Sequence, residues 1–265
     1  MPTARNGNIS LHFESTGAGA PVLLVMGLGM NATGWWRTIP VLAQARLRVL
    51  AFDNRGVGRS DRPPGPYSVA EMASDAVAVL DAAGVERASV YGISLGGMIA
   101  QEIALGYPDR VQRLVLGATT PGGSRATPAP EATIAFFHRR AEMPAEEAVW
   151  ASVPYNYAPR TRAGHGDRIA QDIEQRLRFP VEPQPYSAQL QAGLSHDTHD
   201  RLGQIGVPTL VVHGLEDTMV PTPNGRLLAE AIPGASLLEF PNTAHLYFTD
   251  EPAVDHDVAE FLTAG

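Results

Sequence analysis

The 265 residues contain no cysteine and no lysine; all 20 basic side chains apart from histidine are arginine. Without cysteine there is no disulfide, no thiolate nucleophile and no cysteine-bound metal. A thiol-free chain suits a reducing compartment, so a cytoplasmic location is the expectation. Without lysine there is no Schiff-base chemistry and no lysine general base. Long apolar runs are missing too. None approaches the ~20 residues of a membrane span, and no apolar region backs the charge of Met1 to Asn6, so neither a transmembrane helix nor a signal peptide is expected. Nor is there an excess of positive charge. A net charge of −8 offers no electrostatic footprint for nucleic acid or an anionic membrane.

What remains is an ordinary globular composition, 44% hydrophobic and 18% charged, long enough for one large α/β domain with an insertion. Asn8 to Phe13 alternates as an edge strand with one buried face, which sends His12 outward. Pro21 to Met26, Arg48 to Phe52, Arg110 to Gly117 and Val207 to Gly214 are continuous apolar runs, as strands covered on both sides should be. Helical patterns separate them. One spans Trp35 to Ala45, with Pro40 disturbing it. Another opens at Ser68 with capping-box spacing to Glu71 and ends at Gly84. The alternation implies a mostly parallel sheet with right-handed crossovers and helices on both faces. From 121 to 200 it breaks into helical patches rich in proline, arginine and aromatic residues. This reads as a helical lid set into a core of 1–120 and 201–265. Ser236 to Phe240 is the last strand. A closing helix turns Val254, Val258, Phe261 and Leu262 inward.

The chemistry centres on Gly92-Ile93-Ser94-Leu95-Gly96-Gly97. A strand runs into this stretch and a small-residue helix runs out, the context of a G-x-S-x-G nucleophile elbow. A Cβ at 92 or 96 would crowd the returning chain. A serine hydroxyl needs an adjacent base, itself oriented by an acid, in the chain order Ser, Asp or Glu, His. Asp217 follows a late strand, with Glu216 as competitor. Of eight histidines only His245 falls in a loop after the last strand; His213 comes before the acid. An oxyanion needs two backbone N–H donors. Leu95, at a helix N-terminus, supplies one, and Leu28, in Gly27-Leu28-Gly29, the other. The lid aromatics Phe136, Phe137, Trp150 and Tyr155, with Trp35 or Trp36 below and Leu246 beside the base, are candidates for an apolar acyl pocket or for plain packing.

Other motifs carry less. Asp53 to Asp61 has glycine spacing but no Gly-Lys-Ser/Thr, so a tight loop pinned by Arg55 and its flanking aspartates is preferred to a nucleotide site. His196-Asp197-Thr198-His199-Asp200 has metal-capable side chains without a converging shell, and an aspartate capping a helix is the simpler reading. No metal and no cofactor is expected.

Taken together, Gly92 to Gly97, Asp53-x-Arg55-Gly56-x-Gly58-x-Ser60, Gly214-x-x-Asp217 and His245-x5-Glu251-Pro252 resemble the α/β-hydrolase superfamily over nearly the whole chain outside the lid. Within it the chain is similar to the small esterase and lactonase branch that includes 3-oxoadipate enol-lactonases and acyl-homoserine lactonases. The resemblance implies Ser94 as nucleophile, Asp217 as acid, His245 as base, and Leu28 with Leu95 as oxyanion donors, in a Ser-His-Asp enzyme that cleaves small apolar esters or lactones through an acyl-enzyme. Many relatives carry His-Gly where this chain has Met26-Gly27; the donor is the next residue's backbone, so the hole should survive. Ser94 argues against the aspartate-nucleophile dehalogenases and epoxide hydrolases. Two rivals stand beside this reading. One is a carbon–carbon bond hydrolase whose acidic substrate would want an arginine such as Arg139, Arg140 or Arg178. The other is a slow ligand sensor on the same fold.

Overall fold

A computed structural model describes residues 2–264. In chain order its strands and α-helices are β1 (Thr3–Asn6), β2 (Ile9–Thr16), β3 (Ala20–Val25), α1 (Thr38–Gln44), β4 (Leu47–Phe52), α2 (Val69–Ala82), β5 (Ala88–Ile93), α3 (Leu95–Gly106), β6 (Val111–Gly117), α4 (Glu131–Arg140), α5 (Ala145–Ala151), α6 (Val153–Asn156), α7 (Pro159–Gly164), α8 (Gly166–Leu177), α9 (Pro183–Leu194), β7 (Thr209–Gly214), α10 (Pro223–Ala231), β8 (Ser236–Phe240), α11 (Tyr247–Asp250) and α12 (Val254–Thr263). The eight strands form one sheet in the order β1-β2-β4-β3-β5-β6-β7-β8. β2 is antiparallel to β1 and β4, and every later pairing is parallel. This is the α/β-hydrolase fold.

The apolar strands are buried on both faces, as parallel pairing requires. Leu23 and Val25 pack into one core with α2, α3 and α10; Val22, Leu24 and Met26 pack into the other with α1 and α12. Helix α2 starts where its capping box places it: Ser68 Oγ accepts from Glu71 N–H, and the Glu71 carboxylate reaches back to Ser68 N–H. Gly84 takes φ +66° just beyond its end.

Several sequence expectations need correction. β2 is an inner strand, because β1, too short and polar to show periodicity, pairs along its outer side. His12 is therefore buried, its backbone N–H donating to Ser60 Oγ. The helix placed at Trp35 to Ala45 is a 3₁₀ turn, Ala32–Trp35, followed by α1, whose first turn absorbs Pro40. The Asp53 loop is tight, but Arg55 reaches Asp75 on α2 rather than its own flanking aspartates, bonding it through Nε (2.5 Å) and Nη2 (2.9 Å). Asp53 instead accepts from the N–H groups of Ala32 and Arg59. Phe261 is only half-buried.

The chain leaves β3 for β4 on one side and later returns to β5 on the other. Loops after β3 and β5 diverge there, which opens a crevice at the carboxyl ends of the strands. Helices α4 to α9, all between β6 and β7, cover that edge. Among the described residues no helix is long and apolar enough to cross a membrane.

Candidate active site

Ser94 sits between β5 and α3 with φ +57° and ψ −124°, a conformation that non-glycine residues avoid. The surroundings enforce it. Ser94 N–H donates to Gly117 O on β6 (2.9 Å), and its carbonyl accepts from Thr119 Oγ1 (2.7 Å) and from Gly97 N–H (2.9 Å). The turn closes only without side chains at two places. A Cβ on Gly92 would lie 2.1 Å from Gly96 O, and one on Gly96 would lie 2.0 Å from Val25 O at the end of β3. The second contact is with the neighbouring strand rather than the returning helix.

Asp217 lies in the turn after β7 and His245 in the loop after β8. His245 Nδ1–H donates to Asp217 Oδ2 at 2.8 Å, and both side chains are buried. Asp217 Oδ1 accepts from the N–H groups of Met219 (2.8 Å) and Val220 (2.9 Å), so the carboxylate is fixed by its own turn. Glu216, the competitor, is exposed. With Nδ1 committed, His245 presents Nε2 to the cavity that Ser94 also lines. No direct hydrogen bond joins the serine and the imidazole; such bonds often tighten only when substrate is present.

Leu28 and Leu95, the expected oxyanion donors, border the same cavity. Among the described residues no acceptor is paired with the N–H of Leu28 or of Leu95, although Gly29 N–H donates to Gln189 Oε1 (2.9 Å) and Met30 N–H to Gly27 O (3.2 Å). Both leucines line the cavity. Such a pair can hold a developing oxyanion, aided at Leu95 by the α3 dipole.

The cavity has a volume of about 320 Å³. Phe136, Phe137 and Leu246 line it as expected. The other aromatic candidates do not. Trp35 is fully buried beneath, its ring 4.8 Å from Tyr91 and 5.6 Å from Phe248. Trp36 turns toward α8, where its Nε1–H donates to Asp172. Trp150 is 51% exposed on the outside of α5. Tyr155 stacks behind Phe136 at 4.3 Å and supports the wall. Met98, Leu190 and Leu194 complete an apolar wall, and Arg140, Ser152, Asn156 and Arg176 form a polar one.

Two more histidines come near. His213 Nε2–H donates to Val220 O (2.8 Å), and burial, ahead of the attraction of Asp217, lowers its pKa. It braces the Asp217 turn as a neutral ring. His196 lines the cavity, and burial takes its pKa down to about 4. Asp197 Oδ1 accepts from His199 N–H, which starts the 3₁₀ turn His199–Gln204. Among the described residues no group of three or more His, Asp or Glu side chains converges to hold a metal ion.

A strained serine, a carboxylate-held imidazole and a pocket at the carboxyl ends of a parallel sheet define a hydrolase class, and the chain belongs to the α/β-hydrolase fold family, matching it over residues 20–252. It is 36% identical to a protein of Azorhizobium caulinodans named carbamate hydrolase RutD, over 97% of this chain and 96% of that one. Among solved structures it is similar to the enol-lactonase of Burkholderia xenovorans, with a TM-score of 0.88, 25% identity, and 99% and 100% of the two chains covered. It is also similar to Est816, described as an enzyme degrading N-acyl homoserine lactones, with a TM-score of 0.82, 31% identity, and 97% and 98% covered.

Proposed function

We propose that the protein is a serine hydrolase that cleaves small carboxylic esters or lactones through an acyl-enzyme, with Ser94, His245 and Asp217 as its triad. The observation that carries this reading is the Asp217-held imidazole whose free Nε2 shares one cavity with the elbow serine. In the first step Ser94 Oγ bonds to the substrate carbonyl carbon as its proton passes to His245 Nε2. The carbonyl oxygen takes the negative charge and is held by Leu28 and Leu95 N–H. Loss of one such donor typically costs roughly 3–4 kcal/mol of barrier. Collapse breaks the bond to the leaving oxygen, which takes the proton from His245. Water then gives its proton to His245 and attacks the acyl-enzyme; the acid leaves and Ser94 regains its proton. A lactone keeps its alcohol attached, so one hydroxy acid is released. Helices α4 to α9 act as a lid that shapes the pocket and limits water.

Two relatives, named enol-lactonase and N-acyl homoserine lactone degrading enzyme, support ester-bond chemistry. The name carbamate hydrolase on a third fits the same machinery attacking a different carbonyl. A panel of p-nitrophenyl esters, lactones and a carbamate, run on wild type and Ser94→Ala, tests the reading. Turnover of esters or lactones should exceed that of the carbamate and fall roughly 10³-fold or more in the variant. Near-wild-type hydrolysis by Ser94→Ala removes the serine from the mechanism.

A further inference from the structure

The loop after β3 carries Leu28, the proposed oxyanion donor, and abuts the nucleophile. A Cβ on Gly27 would sit 3.0 Å from Ser94 Cβ and 3.5 Å from Ser94 Oγ. A donor so placed works only if it is aimed to within about 0.5 Å. Peptide planes set that aim. Gly27 O and Leu28 N–H belong to one trans peptide and point in opposite directions. Gly27 O accepts from Met30 N–H at 3.2 Å, so Leu28 N–H is turned away from that bond. The plane before it, between Met26 and Gly27, is held from another loop.

Asn54 follows β4 and is 1% exposed. Its Nδ2–H donates to Met26 O at 2.9 Å. A Cβ on Gly96 would lie 2.8 Å from the Met26 oxygen, so that carbonyl is set between the Asn54 amide and the first turn of α3, where Leu95 also lies. The neighbours of Asn54 hold the same loop further along. Asp53 Oδ1 accepts from Ala32 N–H, and Arg55 O accepts from the Gln189 amide that also takes Gly29 N–H. Three consecutive residues thus grip the loop at 26, 29 and 32.

Asn54 is an expensive way to do this. Its buried Oδ1 has no hydrogen-bond partner among the described residues. Turning the amide over would set that oxygen against Met26 O, acceptor to acceptor, so the orientation is fixed. A buried amide with its oxygen unmatched is a poor choice for stability alone; leucine has nearly the same shape and no polar atom to satisfy. A local rule broken in this way marks a position set by function.

We propose that Asn54 is a positioning residue: by holding Met26 O it aims Leu28 N–H at the oxygen of the tetrahedral intermediate. The inference rests on the serine-hydrolase reading. Asn54 does not line the cavity, so its removal leaves ground-state binding alone and weakens an interaction that the transition state needs.

The test is Asn54→Leu, assayed on p-nitrophenyl butyrate, with Asn54→Ala as a second variant of different volume. Thermal unfolding establishes that each is folded. In the folded variants kcat should fall about tenfold or more while KM stays within about twofold. A trifluoromethyl ketone carrying the same propyl chain, which adds to Ser94 and places an oxyanion beside the donors, should bind more weakly by about the same factor. An unchanged kcat, or a lower kcat with the affinity of the ketone intact, overturns the proposal and leaves the hydrolase reading standing. If Ser94→Ala hydrolyses the ester as wild type does, the hydrolase reading falls, and hydrogen–deuterium exchange decides the hold on the loop alone. Exchange of peptides spanning 26–32 that is about threefold or more faster in Asn54→Leu sustains it; unchanged exchange overturns it.

Discussion

Ser94 holds a backbone conformation that costs about 1–3 kcal/mol for a residue with a Cβ. Glycine would relieve that strain and return about 0.5–1 kcal/mol as extra freedom of the unfolded chain. Ser94→Gly should therefore be roughly 1 kcal/mol more stable than Ser94→Ala in urea unfolding, with both inactive. A less stable glycine variant would mean that the turn is not strained. The positions of Ser94, Asp217 and His245 just past strand ends were readable because apolar runs in the sequence mark those boundaries. The pocket wall was less so. The aromatic residues were visible, but helical spacing does not say which neighbour covers them; Trp35 and Trp36 went to packing and Trp150 to solvent. The arginines did leave a trace. Buried Ile169, Asp172, Ile173 and Arg176 share one stripe of α8, as do Thr133, Phe136 and Arg140 on α4. Arg140 was among the arginines the sequence offered; a charge on a buried stripe is the signal that would have found Arg176.

Among the elements, α9 makes the connection that the sequence did not disclose. Gln189 is fully buried; its Oε1 accepts from Gly29 N–H and its Nε2–H donates to Arg55 O at 2.8 Å. One side chain therefore clasps the helical segment to the loops after β3 and β4. A leucine there fills similar space but leaves the half-buried Gly29 N–H and the buried Arg55 O unmatched. Gln189→Leu should lose roughly 2 kcal/mol of stability by chemical denaturation. It should also lower kcat, because the Gly29 loop carries Leu28, the proposed oxyanion donor, one residue away. Loss of stability with kcat intact would show that α9 only buttresses the fold. Nothing in the local sequence marks a glutamine for this work, since its partners lie 160 and 134 positions away. The long periodic elements were legible for the opposite reason: α2 and the strands β3 to β8 announce themselves within a single window. The short helices α6, α7 and α11 fall below the length at which periodicity can be seen.

Across the whole molecule, the closing helix is tied back to the first. Asp255 on α12 does this, accepting from Thr38 Oγ1 on α1 at 3.0 and 3.1 Å in the core between them. Burial pushes this carboxyl up to about 7. In the unfolded chain it titrates near the ordinary value of 3.8. Between these values the folded protein holds a proton that the unfolded chain has released. The contribution of Asp255 is thus complete below about pH 4 and is lost as pH rises through 7. His196 has the opposite sign: its pKa is lowered to about 4, so its share is lost as pH falls from the ordinary 6.5 toward 4. Asn at 255 cannot ionise and keeps a partner for Thr38. Asp255→Asn should differ little from wild type below pH 4 and unfold several degrees higher at pH 9, the full effect approaching roughly 4 kcal/mol. Melting curves of both proteins across that range measure it directly. A difference that does not grow with pH would mean that Asp255 holds no extra proton in the folded state and stays ionised in the join between α1 and α12 at neutral pH.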